Sequence, residues 1–408
     1  MHPGPKVTRK PSGYKGSRES PGSPGNEIAN GPKSVDNTDM SKSRENSILF
    51  SPIRIGSIEL PNRFVRSATH EFMAEPDGTA TDRLPRLFAI LAEGEVGLII
   101  TGHAYVHPLG KASPGQTGIY DDRLGDALRP IPRAVHVYPT KIFLQIAHAG
   151  RQTKPRIAGG TPVSPSPVYD PSVKLKPREL TGSEIRGLIS DFVAAARRAK
   201  AAGFDGIQLH MAHGYLLSSF ISPHANRRTD EWGGSPENRA RMALEIVGGI
   251  KEANGRDFPL IVKLNSADFL PTGLQVEDAI DVAQRLEAAG VDGIEVSGGM
   301  AESGRGSVWT GLRAEEDEGY FVGSAARIKA AVKVPVFGLG GNRTFAAMER
   351  FVAEGKVDLI SMSRPFIREP FLVKKFREEL IAKSDCISCN RCFNPRGISC
   401  AELRKAKA

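Results

Sequence analysis

From Arg63 onward, short apolar runs alternate with longer stretches of helical periodicity, a pattern that builds parallel β/α units. The apolar runs predict strands at Arg63 to Ala68, Gly97 to Gly102, Lys141 to His148, Gly206 to His210, Leu260 to Leu264, Gly293 to Ser297, Val336 to Leu339 and Leu359 to Met362. Between them, Glu184 to Ala202, Glu237 to Ala253, Val276 to Ala289 and Thr344 to Glu354 read as amphipathic helices, each closed by Gly or Asn where a cap is expected. Eight such strands predict an α/β fold of the TIM (β/α)8 barrel type, with the chemistry at the C-terminal ends of the strands. Pro130, Pro132 and Pro139 sit poorly inside a helix, so the second helix is expected to be short or broken. The proline-rich stretch from Pro155 to Arg178 reads as a long excursion at the active face.

Length changes the picture at the two ends. The 408 residues exceed the roughly 250 typical of one barrel. Residues Met1 to Asn46 are rich in Pro, Gly, Ser and basic side chains, and hold too few large apolar groups to offset the entropy of ordering. The expected organisation is therefore a disordered tail over 1–46, a barrel over 47–383 and a short cysteine-rich segment over 384–408. The tail lacks the apolar core of a secretory signal, so a cytoplasmic location is expected. No apolar run approaches the roughly 20 residues of a membrane span. The net charge of +9 comes partly from the two ends, and no basic stripe interleaved with aromatics suggests nucleic acid. A small-molecule substrate is the expected partner, with a homo-oligomer left open. All four cysteines fall between Cys386 and Cys400, which excludes a disulfide framework for the main domain.

The richest segment chemically is Gly206-Ile-Gln-Leu-His-Met-Ala-His-Gly-Tyr, where a strand ends at His210 and delivers His213 and Tyr215 within one tight stretch. Paired imidazoles can hold a carbonyl or nitro oxygen and favour the enolate that forms when hydride reaches the β-carbon. A tyrosine beside them can protonate the α-carbon. Histidines three apart also occur as buried side chains bonded to backbone. The polar run from Asn226 to Arg239 downstream favours the catalytic reading. This stretch resembles the Old Yellow Enzyme family of FMN-dependent ene-reductases, and the resemblance extends from about Leu49 to Pro370. It implies that His210 and His213 bind the substrate oxygen, that Tyr215 donates the proton, and that NAD(P)H is the reductant. The substrate it implies is an electron-poor alkene such as an α,β-unsaturated carbonyl.

The other strand ends carry groups suited to an isoalloxazine ring: Ser67-Ala68-Thr69-His70, then Thr101-Gly102-His103-Ala104, then Gln145. By resemblance, Gln145 faces the pyrimidine edge and Lys263 places charge near N1 and O2. Ala68, Thr69 and Gly102 border the ring. Lys263 stands where many relatives carry arginine, so the charge is kept without the planar fork. His70 occupies the position that tunes the flavin, commonly cysteine or threonine in the family. Glycine-rich turns at Ser297-Gly298-Gly299 and Gly338-Leu-Gly340-Gly341-Asn342-Arg, with Ser363-Arg364 after the last strand, supply backbone N–H groups and a cation for one phosphate. One phosphate site without a paired dinucleotide fingerprint points to FMN rather than FAD.

Cys386, Cys389, Cys392 and Cys400 form C-x2-C-x2-C-x7-C, a spacing that lets thiolates converge on zinc or an iron–sulfur cluster. The segment resembles the cluster region of 2,4-dienoyl-CoA reductase and trimethylamine dehydrogenase, with shorter later intervals; free thiols are the alternative. Two other functions stay open on the residues alone. One is a flavin-free phosphate-binding lyase or isomerase using Lys263 as a Schiff-base amine. The other is an FMN-binding electron-transfer module acting through the cysteine segment.

Overall fold

The computed structural model describes residues 44–304 and 306–406. The expected disorder of the tail falls on residues 1–43, outside those described. Arg44–Asn46, assigned to the tail by composition, form a 3-10 turn. There the Arg44 guanidinium donates to the Ile381 carbonyl at 2.6 Å and lies 4.6 Å from the Phe345 ring centre.

Eight parallel strands close into a barrel. They are β1 (Phe64–Arg66), β2 (Leu98–Ile100), β3 (Lys141–Ala147), β4 (Gly206–Met211), β5 (Leu260–Asn265), β6 (Gly293–Ser297), β7 (Val336–Gly338) and β8 (Leu359–Met362). Each pairs with its sequence neighbours, β8 returns to β1, and β2 pairs with β3 through Ile99 opposite Ile142. β1 and β2 are three residues shorter than their apolar runs because the chain leaves the sheet at Ser67 and Thr101 to form the loops of the cavity, whereas β4 and β5 run one residue further.

Helices cover the outside where the periodicity puts them. The longest, Gly182–Ala202, starts at Thr181, which forms a reciprocal capping box with Glu184, and stops at Gly203 with φ +99°. Its Ile185, Leu188, Phe192 and Ala196 face the barrel. The second helix is indeed broken, into Asp122–Ala127 and Pro130–Val135, with Pro130 at a first-turn position where its missing N–H costs nothing. The excursion after β3 carries a short helix, Pro155–Ala158, and pairs Val163–Ser164 with Arg178–Glu179. No described helix is long and apolar enough to cross a membrane.

Two cores result. The larger lies between strands and helices. The smaller fills the barrel interior, where Val65, Leu98, Ile100, Phe143, Ile261, Phe337 and Leu359 meet Ile55 and Leu60. Those last two belong to an antiparallel hairpin, Ile53–Ile55 with Ile58–Leu60, that packs into the barrel from its N-terminal end.

Candidate active site

Side chains in a strand alternate between faces, so the residue two places beyond each inward apolar one also points inward. Val65, Phe143, Ile261 and Leu359 are thus followed by Ser67, Gln145, Lys263 and Ser361, and the barrel interior changes from apolar to polar within one layer. Gln145 Nε2 donates to Gln208 Oε1 at 2.7 Å, and Gln208 Nε2 donates to Glu295 Oε2 at 2.8 Å. Lys263 Nζ lies 3.2 Å from the same carboxylate and donates to Ser67 Oγ at 2.9 Å. Burial alone would raise the Glu295 pKa, but the Lys263 charge and hydrogen bonds with Ser67 and Gln208 hold it below the ordinary carboxylate value. Lys263 is therefore a fixed, paired ammonium, which disfavours a Schiff-base role.

One layer higher, β4 presents His210, 4% exposed, whose Nδ1 accepts from the Ala212 N–H. That bond fixes the tautomer and leaves Nε2–H as a donor. The chain then turns sharply. His213 adopts φ +64°, and its N–H donates to Asn265 Oδ1 at 3.1 Å. Gly214 follows at φ +81°, and Tyr215 heads the short helix Leu216–Ile221. The Tyr215 ring stands 4.6 Å from that of His210, and the two imidazoles are 5.1 Å apart. Burial pushes the His213 pKa down to about 3, with Lys263 adding to the effect, and holds His210 well below its ordinary value. Burial also raises Tyr215 to about 12. The cluster accordingly holds neutral imidazole donors and a protonated phenol at neutral pH.

These groups open on a cavity of about 590 Å³. It is lined by Ser67, Ala68, Thr69, His70, Gln145, Lys263, Ser297, Gly341, Asn342, Ser363 and Arg364, with His210, His213 and Tyr215. Gly102, Gly298 and Gly340 are not among the residues of its wall. Gly102 donates its N–H to the buried Glu71 carboxylate at 2.7 Å, and a Cβ there would lie 2.7 Å from the Thr69 carbonyl oxygen. Its smallness lets the loops after β1 and β2 pack together. Gly340, at φ +127°, abuts the Tyr320 backbone, and Gly298 abuts the Phe321 ring. Ser297 lines the wall next to His213, with 2.8 Å between its Oγ and His213 Nε2. His70 is tied at both nitrogens, to the Phe72 N–H and to Ser113 Oγ, and burial lowers its pKa to about 4.

His103, part of the Thr101-Gly102-His103-Ala104 strand end but without an individual role there, also lines the cavity, 5.3 Å from the Tyr215 ring. Its place at the end of β2 was the available signal. Gln152, Tyr320, Ser388, Asn390 and Phe393 come from loops too irregular to be assigned from sequence. The last three belong to the cysteine-rich segment, whose cysteines themselves stay out of the cavity wall. All four are free thiols. Burial and the neighbouring thiols Cys386, Cys400 and Cys389 push Cys392 up to about 11. Among the described residues no group of three or more His, Cys, Asp or Glu side chains is arranged to hold a metal ion, so the iron–sulfur or zinc site read from the cysteine spacing is not shown.

In another part of the cavity wall, Arg364 is 7% exposed and donates to the carbonyls of Trp309 at 2.9 Å and Ser388 at 3.2 Å. Among the described residues it forms no ion pair, unlike Arg343, whose guanidinium lies 3.3 Å from Glu318. A buried cation without a counter-charge is costly, so this part of the wall suits an anion. Asn342 nearby has a buried Oδ1 with no hydrogen-bond partner, an acceptor fit for a polyol hydroxyl. Fixed charge and amides suit the polar edge of a flavin ring, and an uncompensated cation suits a phosphate, the two kinds of group FMN carries.

The chain matches the family described as NADH:flavin oxidoreductase / NADH oxidase over residues 48–383. It is 42% identical over 348 residues to an NADH oxidase of Thermoanaerobacter brockii, covering 84% of this chain and 52% of that protein. Among solved structures it superposes on a 2-naphthoyl-CoA reductase complex with a TM-score of 0.80 at 33% identity, covering 85% of this chain and 54% of the other. An Old Yellow Enzyme homologue from Zymomonas mobilis gives 0.73 at 28% identity, covering 87% and 97%. The chain thus spans about half the length of the first two proteins.

Proposed function

Because the chain belongs to the NADH:flavin oxidoreductase / NADH oxidase family, we propose that it is an NAD(P)H-dependent, FMN-containing reductase of electron-poor alkenes such as α,β-unsaturated carbonyls. The observation that carries this reading is the pairing, in one cavity, of neutral His210 and His213 with protonated Tyr215 above the Lys263–Gln145 layer. Lys263 and Gln145 would hold the polar edge of the flavin ring, and Arg364 with the Gly341–Asn342 turn would hold its phosphate. Bound FMN would supply the hydride relay from NAD(P)H to the alkene carbon β to the carbonyl. His210 donates through Nε2–H to the substrate oxygen. His213 joins it when Ser297 gives its hydroxyl hydrogen to Nε2 and leaves Nδ1–H free. Tyr215 delivers its proton to the α-carbon. The phenol is the right acid because it stays protonated at neutral pH, while the imidazoles stay uncharged and do not compete as acids.

The reading assigns no step to a metal at the cysteine segment, and includes a reducing, cytoplasmic setting in which the four thiols persist. The test separates binding from chemistry. Purified protein should carry or take up one FMN, and NAD(P)H should bleach it anaerobically. A simple enone such as cyclohexenone should then restore the oxidised spectrum. In Tyr215→Phe, bleaching should be retained while restoration slows by roughly 10² to 10⁴. A protein that binds no FMN, or whose reduced flavin ignores every enone offered, overturns the proposal.

A further inference from the structure

Gln116 is fully buried, and its amide orientation is fixed from both ends. Its Oε1 accepts from the Ala112 N–H at 2.7 Å, so Nε2 must be the end that meets His103, where it donates to the backbone carbonyl at 3.0 Å and to ring Nδ1. An Nδ1 that accepts a hydrogen bond carries no hydrogen in the neutral ring, so the proton resides on Nε2. That nitrogen lies 3.4 Å from Tyr215 Oη, and among the described residues the phenol has no other hydrogen-bond partner. The distance is long for a hydrogen bond, as unliganded catalytic contacts often are before substrate closes the site.

We propose that His103, locked by Gln116 as its Nε2–H tautomer, is a positioning residue that donates to the Tyr215 oxygen, aims the phenolic hydrogen into the cavity and stabilises the phenolate left after proton transfer. This rests on the function proposed above. The step balances simply: the Tyr215 O–H bond breaks, the hydrogen goes as a proton to the substrate carbon that bears the electron pair, and the phenol oxygen keeps the O–H electrons. Water entering the cavity returns the proton. His103 itself transfers none, because losing Nε2–H while Nδ1 is occupied by Gln116 would leave an imidazolate.

The surroundings favour this division of labour. Facing His103 are His70 from the loop after β1, His210, His213 and Tyr215 from β4 and its loop, and Lys263 from β5. Burial, then the nearby His70, His213 and Lys263 positions, keeps its pKa well below the ordinary value, so the ring remains a neutral donor. A phenolate forming one hydrogen bond away from it gains from that donor.

Two measurements test the inference. In protein labelled with ¹⁵N in its histidine rings, the His103 resonances, assigned by their loss in His103→Gln, should report hydrogen on Nε2 and none on Nδ1. Gln116→Leu should mix the tautomers. In the stopped-flow assay, His103→Leu should slow enone-driven reoxidation about ten- to a hundredfold, the worth of a hydrogen bond to a charged group. His103→Gln, which keeps a donor, should recover most of it. On a Tyr215→Phe background His103→Leu should add nothing, since its effect runs through the phenol. Retained FMN absorbance shows that each variant folds, and Gln116→Leu replaces His103→Leu in the cycle if the latter loses flavin. Wild type unreactive with enones would sink the proposed function itself. Reactive wild type with an Nδ1–H tautomer, or with slowing that persists in full without the Tyr215 hydroxyl, overturns this role alone.

Discussion

Lys263 and Glu295 are 3% and 0% exposed, and neither can be lost singly without leaving a charge stranded among Ser67, Gln208 and Ser361. Lys263→Met should therefore destabilise the fold by roughly 3 to 5 kcal/mol, whereas Lys263→Met with Glu295→Met should cost clearly less. Urea unfolding of both variants checks this, and equal losses would mean the pair is not coupled. Arg364 poses the complementary case, a buried cation held only by carbonyls. Arg364→Ala should weaken FMN binding about ten- to a hundredfold, read by flavin fluorescence on titration, since a charge-assisted phosphate contact is lost. Both residues were legible in the sequence for one reason. Both belong to the C-terminal side of a strand: period two sets the direction of Lys263 within β5, and Arg364 opens the short helix that follows β8. Gly340 was less legible, because a glycine-rich turn looks the same in sequence whether or not its backbone packs, as here, against Tyr320. His103 escaped notice because its importance depends on Gln116, thirteen residues away and folded back by Ala112.

At the scale of elements, the strands were legible because each is a short, mostly apolar run with clear boundaries, and the long helices because their caps are written in Thr181, Gly203 and Gly290. The hairpin was not. Its strands, Ile53–Ile55 and Ile58–Leu60, carry a charged residue at the centre of each and no β/α alternation around them, and its role depends on the barrel it enters. Ile55 and Leu60, both fully buried, supply the apolar floor that the inward-facing Val65, Phe143 and Ile261 require on that side. Ile55→Ala should accordingly cost about 2 to 5 kcal/mol in unfolding free energy, because the surrounding strands cannot collapse into the void. The FMN absorbance band of the folded variant should be unchanged, since the polar layer lies between floor and cavity. A shifted flavin spectrum at native stability would show that the hairpin acts on the site instead.

For the whole molecule, the neutral histidines set the response to acid. Burial lowers His70 to about 4, His148 and His213 to about 3, and His103 and His210 well below their ordinary value. Unfolded imidazoles bind protons below about pH 6.5, so between pH 6.5 and 4 unfolding takes up protons at five positions that the folded chain keeps empty. Three carboxylates act the other way: burial raises Glu71, Asp268 and the half-buried Asp191, so that the folded state holds protons the unfolded state releases. Five outweigh three. Stability should be full above about pH 6.5 and fall as the pH drops through the range in which unfolded imidazoles take up protons. Thermal unfolding in saturating FMN, followed from pH 8 to 4.5, should show a level Tm down to about pH 7 and a steep decline below. His148 lies outside the cavity, with its Nδ1 accepting from the Gly150 N–H and its Nε2 buried without a partner. His148→Gln should remove one proton from the uptake, about 1.4 kcal/mol per pH unit, without touching the groups proposed for chemistry. A Tm that stays flat to pH 5 in wild type would mean that these imidazoles are protonated in the folded enzyme, and with that the neutral-donor arrangement of His210, His213 and His103 would have to be abandoned.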